Sequence, residues 1–263
     1  MRSREPSSTK SSADEYEEAD LRPLSFTQLN TYAICPRRYY YSYVRGIKVI
    51  PPLAVVQGKV VHEVLEAAHK SLRDVRAMRP REAVELHEER WTTVEVEASG
   101  DEVAAARRVG RDLVRIYIEG AYNARYPVDV ERYWDGYLDD IPLSGIVDLT
   151  ERPPEAKETS VLDIKVRSRA GTGTDIVRSP QLGLYSWILR SRHVGFIELV
   201  RPKYVNVLTR HLTDADIENS LEWVRDTARA IVNSRATDSW PRCWRDNVLC
   251  SPKYCGYYGL CYR

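Results

Sequence analysis

The run Val161-Leu162-Asp163-Ile164-Lys165-Val166 constrains this chain more than any other stretch. From Leu162 onward, apolar residues alternate with one acid and one base, the period-two signature of a strand. In a strand, Asp163 and Lys165 project to one face, while Leu162, Ile164 and Val166 project into a core on the other. A rise of about 3.3 Å per residue sets the acid and the base about 7 Å apart along one edge of a sheet. Earlier in the chain, Gly145-Ile146-Val147-Asp148-Leu149 places another aspartate in an apolar strand. If the two strands pair, Asp148 and Asp163 converge on one cation.

That arrangement suits phosphodiester hydrolysis. The attacking water must lose a proton, and the transition state gathers negative charge. A divalent ion held by two carboxylates serves both needs, lowering the pKa of water from about 15.7 towards neutrality. Oxygen ligands favour Mg or Mn. Lys165 is placed to orient the water and stabilise the developing charge, with its own pKa lowered by the cation and by partial burial. Taken alone, D-x-K reads equally as a salt bridge on an alternating strand face, so the rest of the chain has to decide.

Around these strands the pattern is helical. Ser25 can cap a helix running through Leu29, Tyr32 and Ala33 towards Cys35, and Pro36 suits the first turn of a second helix over 37–44. Val60, Val61, Val64, Leu65, Ala68 and Leu72 recur at helical spacing and predict a buried helix over 55–72, with His62, Glu66 and His69 on a second stripe. Further helices are expected over 75–100, 101–122, 174–190 and 214–233. Strands are expected over 128–138, 141–151 and 160–166, with a hairpin over 196–212 broken near Arg201-Pro202. Residues 1–20, rich in Ser, Glu and Asp, read as a disordered tail, leaving 21–263 as a single α/β domain.

At this point the chain resembles the PD-(D/E)XK superfamily, specifically the RecB-like nucleases that include the CRISPR-associated Cas-four exonucleases and the nuclease domains of AddAB helicase–nucleases. Gly58-Lys59-Val60-Val61-His62-Glu63-Val64-Leu65-Glu66 resembles the family's G-x-x-x-H-x-x-L-E helix. Gly145 to Asp148 resembles its G-x-x-D strand, Asp163-Ile164-Lys165 its D-x-K, and Gln181 to Tyr185 its Q-x-x-x-Y helix. The resemblance implies a restriction-endonuclease-like core, a mixed sheet flanked by helices. It makes His62 a metal ligand beside Asp148 and Asp163, and it makes Gln181 and Tyr185 residues that position Lys165 and the nucleic-acid backbone. No G-x-x-x-x-G-K-[ST] phosphate loop occurs, so no helicase motor is encoded here.

The cysteines form a second constellation. Cys250, Cys255 and Cys261 cluster near the C-terminus, and Cys35 stands more than two hundred residues earlier. In the family, one N-terminal Cys-Pro and three C-terminal cysteines hold a 4Fe-4S cluster, so the resemblance implies an iron–sulfur staple joining segments 25–45 and 240–263. Structural zinc is the alternative, because a four-cysteine zinc site tolerates similar gaps. Cys243, outside the compact triplet, is left out of the ligand set. Around Cys35, the run from Arg37 to Tyr41 mixes cations with aromatics that could contact phosphates and stack on bases, or else pack the helix into the core.

Composition adds bounds. Lys plus Arg number 39 against 38 Asp plus Glu, so the net charge of +1 announces no nucleic-acid partner and any phosphate-binding surface must be local. No apolar run suggests a membrane span or a secretory signal, and the expectation is a soluble, cytoplasmic protein. The reading is therefore an Mg/Mn-dependent deoxyribonuclease acting on single-stranded DNA ends. Its expected settings are recombination and repair, phage DNA metabolism or CRISPR adaptation, with helicase, recombination or adaptation proteins as partners. A catalytically silent DNA-binding subunit is the alternative, and an RNA-directed nuclease would share the same site.

Overall fold

The start of each helix is encoded locally in the computed structural model, which describes residues 22–74 and 76–262. Ser25 and Gln28 form a capping box: Ser25 Oγ accepts from Gln28 N–H at 3.2 Å, and Gln28 Oε1 accepts from Ser25 N–H at 2.7 Å. This opens α1 (Phe26–Ile34) directly from the two-residue strand β1 (Leu24–Ser25). Pro36 then starts α2 (Pro36–Tyr39), which widens into a π-helical turn over Tyr40–Val44. The helix expected over 55–72 is α3 (Leu53–Arg73), buried along Val56, Val60, Val61, Val64, Leu65 and Ala68. The tail expected over 1–20 lies outside the described residues.

Two helical expectations are corrected. Of the charged stretch expected as one helix over 75–100, the described residues 76–99 are helical only as α4 (Pro80–Trp91), entered through Pro80 and followed by a non-helical segment whose last residue, Ser99, caps α5 (Gly100–Glu119). The helix expected over 174–190 is two: α6 (Gly173–Val177) and α7 (Pro180–Leu189). Ser179 and Pro180 make the break, since Ser179 Oγ caps Leu182 N–H at 3.3 Å and a proline ring fits the first turn of a helix rather than its interior. At Gly183 on α7, a Cβ would lie 2.0 Å from Ser220 Oγ of α8 (Asp214–Thr237). Only glycine lets these two helices meet so closely.

The strands are β2 (Pro127–Leu138), β3 (Ile141–Glu151), β4 (Ser160–Arg167), β5 (His193–Val200) and β6 (Tyr204–His211). They form one mixed sheet in the order β1-β3-β4-β5-β6, with β2 pairing β3 antiparallel. Helices α3 and α5 pack on one face through Val61, Val64, Leu65, Leu113 and Val114 against Leu162, Ile164, Ile197 and Leu199. On the other face, α6 and α7 pack through Ile176, Leu182 and Tyr185 against Val147, Val161, Val194 and Phe196. A further core joins Leu24, Leu29 and Tyr39 to α8 through Leu221, Val224, Ala228 and Ile231. Strand β4 is therefore interior, not an edge, and Asp163 is fully buried, because helices cover both faces of the strand. No helix among the described residues is long and apolar enough to cross a membrane.

One feature of the sheet creates room for a site. β3 is paired along one edge by β2, but its other edge is shared. β4 occupies it only at residues 149–151, and β1 only at residues 143–144. Between these two pairings the edge of β3 over residues 145–148 is open.

Candidate active site

Asp148 sits at the end of that open edge. The last rung between β3 and β4 joins Leu149 to Leu162, and the next pair would be Asp148 and Asp163. The ladder stops there, and the Asp148 carboxylate takes its place: Ile164 N–H donates to Asp148 Oδ2 at 2.8 Å. From α3, His62 Nε2 reaches the same oxygen at 3.0 Å. A cleft of about 480 Å³ opens here, lined among others by Ser25, His62, Glu131, Asp148, Asp163 and Lys165. All five residues expected at the catalytic site, Asp148, Asp163, Lys165, Gln181 and Tyr185, line this cleft together with His62.

The side chains form a directed chain. Lys165 Nζ forms an ion pair with Asp163 Oδ2 at 2.7 Å and donates to Gln181 Oε1 at 3.1 Å. Gln181 Nε2 donates to Tyr185 Oη at 3.0 Å, and Tyr185 O–H donates to the Ile146 carbonyl at 2.8 Å. Gln181 and Tyr185, one turn apart on α7, thus anchor the lysine to the open edge of β3. Gly145 on that edge has its own reason: a Cβ would lie 2.9 Å from Trp134 Nε1.

The electrostatics of the cleft fit a cation. Apart from the Lys165 ammonium, the buried Asp163 carboxylate has no donor partner among the described residues. Burial pushes its pKa up to about 6, partly offset by Lys165 and reinforced by Asp148. Burial also disfavours the Asp148 anion, yet the His62 contact and the Ile164 N–H hold its pKa below the usual carboxylate range. For His62, burial opposes the charged form, but Asp148, Glu131 and Asp163 outweigh it and raise the pKa. Burial, with Asp163 close by, raises the Tyr185 phenol, so Tyr185 stays a neutral donor. Carboxylate oxygens beside an imidazole are a donor set that fits a hard divalent ion.

Sequence reasoning missed Glu131. It lies opposite Asp148 by the β2–β3 register, between the pairs Val130↔Leu149 and Arg132↔Val147. Its backbone φ is +53°, a left-handed conformation that costs a non-glycine residue on the order of 1 kcal/mol. Its Oε1 is buried without a donor and lies 3.8 Å from His62 Nδ1. Donor atoms of His62, Glu66 and Glu131 come within 4.8 Å of one another. Burial, together with Asp148 and Glu66 and against His62, pushes the Glu131 carboxyl up to about 7. His69, on the expected stripe with His62, is instead buried, with Nε2 2.7 Å from the Tyr117 hydroxyl.

The cysteines also converge. Cys35, Cys250, Cys255 and Cys261 line one small cavity, and Cys243 lines it with them. All five are free thiols, and burial raises Cys255 and Cys261. Cys243 is pushed up to about 12 by burial and by hydrogen-bonding contact with Cys35 and Cys250. Around the cavity the two ends of the chain are sewn together. Arg37 N–H donates to the Pro241 carbonyl at 3.0 Å, Arg37 Nε to the Trp240 carbonyl at 2.7 Å, and Tyr257 O–H to the Ile47 carbonyl at 2.9 Å. Tyr39 is buried and stacks on Trp240 at 5.8 Å, so it packs rather than offering a face to bases.

A mixed sheet with two carboxylates on diverging strands, a lysine two residues beyond the second, and a histidine from α3 is the arrangement of a nuclease fold. The chain belongs to the PD-(D/E)XK nuclease superfamily, whose family model matches residues 23–262. Among solved structures, the chain is similar to a protein described as "Putative exonuclease" from Eubacterium rectale, at 13% identity and a TM-score of 0.52, over 90% of this chain and 91% of that one. It is also similar to the structure of SSO0001, at 14% identity and a TM-score of 0.43, over 95% and 90% of the two chains. No curated protein matches it.

Proposed function

We propose that this chain is an Mg/Mn-dependent deoxyribonuclease of the RecB-like type that cuts single-stranded DNA from an end. The observation that carries the reading is the Asp163 carboxylate, fully buried, with the tethered Lys165 as its sole donor partner among the described residues, in one cleft with Asp148 and His62. Asp148, Asp163 and His62 would hold the cation, which when bound supplies Lewis acidity and an acidified water. Lys165, fixed by Gln181 and Tyr185, orients the attacking water and faces the charge that builds on the phosphate. His62 keeps Asp148 ionised. The open β3 edge leaves room for a strand of substrate to approach.

Cys35, Cys250, Cys255 and Cys261 would hold a 4Fe-4S cluster, with zinc as the alternative occupant of the same thiols. Four cysteines around one cavity are a donor set that a 4Fe-4S cluster would take as thiolates, their protons leaving on binding. Its role is mechanical, fastening the C-terminal segment to the helices at Cys35. DNA recombination and repair, phage DNA metabolism and CRISPR adaptation all suit such an enzyme, with helicase or adaptation proteins as partners.

The test is incubation of anaerobically purified protein with end-labelled single- and double-stranded DNA, with Mg, with Mn and with EDTA. Metal-dependent shortening of the single strand that Asp163→Ala abolishes is the expected result. Binding without cleavage under every metal condition would instead identify a silent DNA-binding subunit.

A further inference from the structure

Away from the cleft, a different set of donors meets at one end of the sheet. Strands β4, β5 and β6 lie side by side, and each brings one side chain to the same end. Glu158 lies just before β4, His193 is the first residue of β5, and His211 is the last of β6. The parallel register Val161↔Val194 carries the chain before β4 alongside His193, and the antiparallel register sets His193 opposite His211. The two imidazole centroids are 5.0 Å apart at 83°, and Glu158 Oε2 lies 3.9 Å from His193 Nε2. One donor atom from each residue falls within 4.8 Å of the other two, and all three side chains are exposed.

We propose that Glu158, His193 and His211 form a surface site for a borderline divalent transition-metal ion, of which Zn2+ is the type case. Two imidazoles and one carboxylate are a donor set that Mg rejects and Zn accepts, three protein ligands leaving one position for water. Metal–donor bonds of about 2.0–2.1 Å in a tetrahedron require donors about 3.3 Å apart. Exposed side chains close that difference by small χ rotations. The backbone beneath is already fixed: the Ser191 hydroxyl bonds the Thr159 carbonyl, and Leu212 N–H donates to the Arg192 carbonyl at 2.9 Å. Arg192, next to His193, is paired with Asp214. A bound ion would tie the loop between β3 and β4, the strands that carry Asp148 and Asp163, to the outer strand β6. The site is separate in donor chemistry from both the oxygen-rich cleft and the thiol cavity, and it does not depend on the nuclease reading.

The experiment is a Zn2+ titration of the anaerobically purified full chain in excess Mg, read by long-range proton–nitrogen correlation of its five histidines. His193 and His211 are expected to shift together and saturate with one ion, while the buried His69 and His87 do not move. His211→Gln is expected to weaken the His193 response at least tenfold. Resolving the signals by residue keeps zinc taken up by the cysteines out of the reading. Unshifted His193 and His211 at a tenfold excess of Zn2+ would overturn the proposal. So would a His193 response that His211→Gln leaves intact, since each ring would then bind alone.

Discussion

Replacing Asp163 with Asn should make the metal-free protein more stable while abolishing its chemistry. Asp163 is fully buried, and burial raises its pKa from 3.8 to about 6 even with the Lys165 ammonium beside it. Because the folded pKa lies above the unfolded one, the native state binds more protons between these values. Stability therefore falls as pH rises through that window, and the full penalty is present at pH 7. Its size is on the order of 3 kcal/mol at about 1.4 kcal/mol per pKa unit. Asn keeps the shape and removes the charge, so in EDTA at pH 7 its thermal midpoint should exceed the wild type's by several degrees. That gain should shrink as pH falls towards 4. Adding Mn should reverse the order, because an ion that binds only the intact native site stabilises the wild type by mass action. Parallel thermal melts over pH, with EDTA and with Mn, give all four comparisons. A lower midpoint for Asp163→Asn in EDTA at pH 7 would refute the reasoning and leave Asp163–Lys165 as an ordinary structural ion pair.

Other outcomes follow from the same geometry. Tyr185→Phe cuts the chain from Lys165 to the Ile146 carbonyl and should lower the cleavage rate about tenfold, with Mn affinity by calorimetry unchanged. Glu131→Gln should raise the thermal midpoint in EDTA at pH 8, where the carboxylate pushed up to about 7 is charged, and should weaken Mn binding. His69 is held neutral by burial, with its pKa lowered to about 3. The unfolded chain therefore binds the extra proton between about 6.5 and 3, and stability is lost as pH falls through that window, so His69→Gln should flatten the acid limb of the melting profile. Cys255→Ala should lose iron and lower the midpoint, whereas Cys243→Ala should keep both; iron analysis of anaerobic preparations decides.

Much of this molecule was legible because its signals are local. The D-x-K strand, the Ser25 cap and the buried stripe of α3 each need only a periodicity or a spacing, whereas the meeting of Cys35 with the C-terminal cysteines was implied by the family resemblance. The break at Ser179-Pro180 was also written locally, in a cap followed by a first-turn proline, but the apolar run through it suggested one helix. What the pattern could not carry was context. The complete burial of Asp163 depends on α6 and α7 covering a strand face that alternation alone assigned to an edge. Glu131 sits in a polar stretch of β2, and only the register opposite Asp148 and a backbone turned to φ +53° bring its carboxylate to His62. Cys243 lies close enough in sequence to substitute for a ligand and was left out only because it departs from the family's compact triplet; the turns between it and Cys250 bring it to the same cavity.

The point where β3 and β4 part also creates a built-in reporter. Ile164 N–H has lost its strand partner and is shielded from water by one side-chain oxygen, Asp148 Oδ2. Its exchange with deuterated solvent therefore tracks how that carboxylate is used. A cation that recruits Oδ2 pulls the acceptor away and exposes the amide, while one that binds only Oδ1 leaves it protected. A single backbone resonance can thus distinguish the two coordination modes without any substrate present.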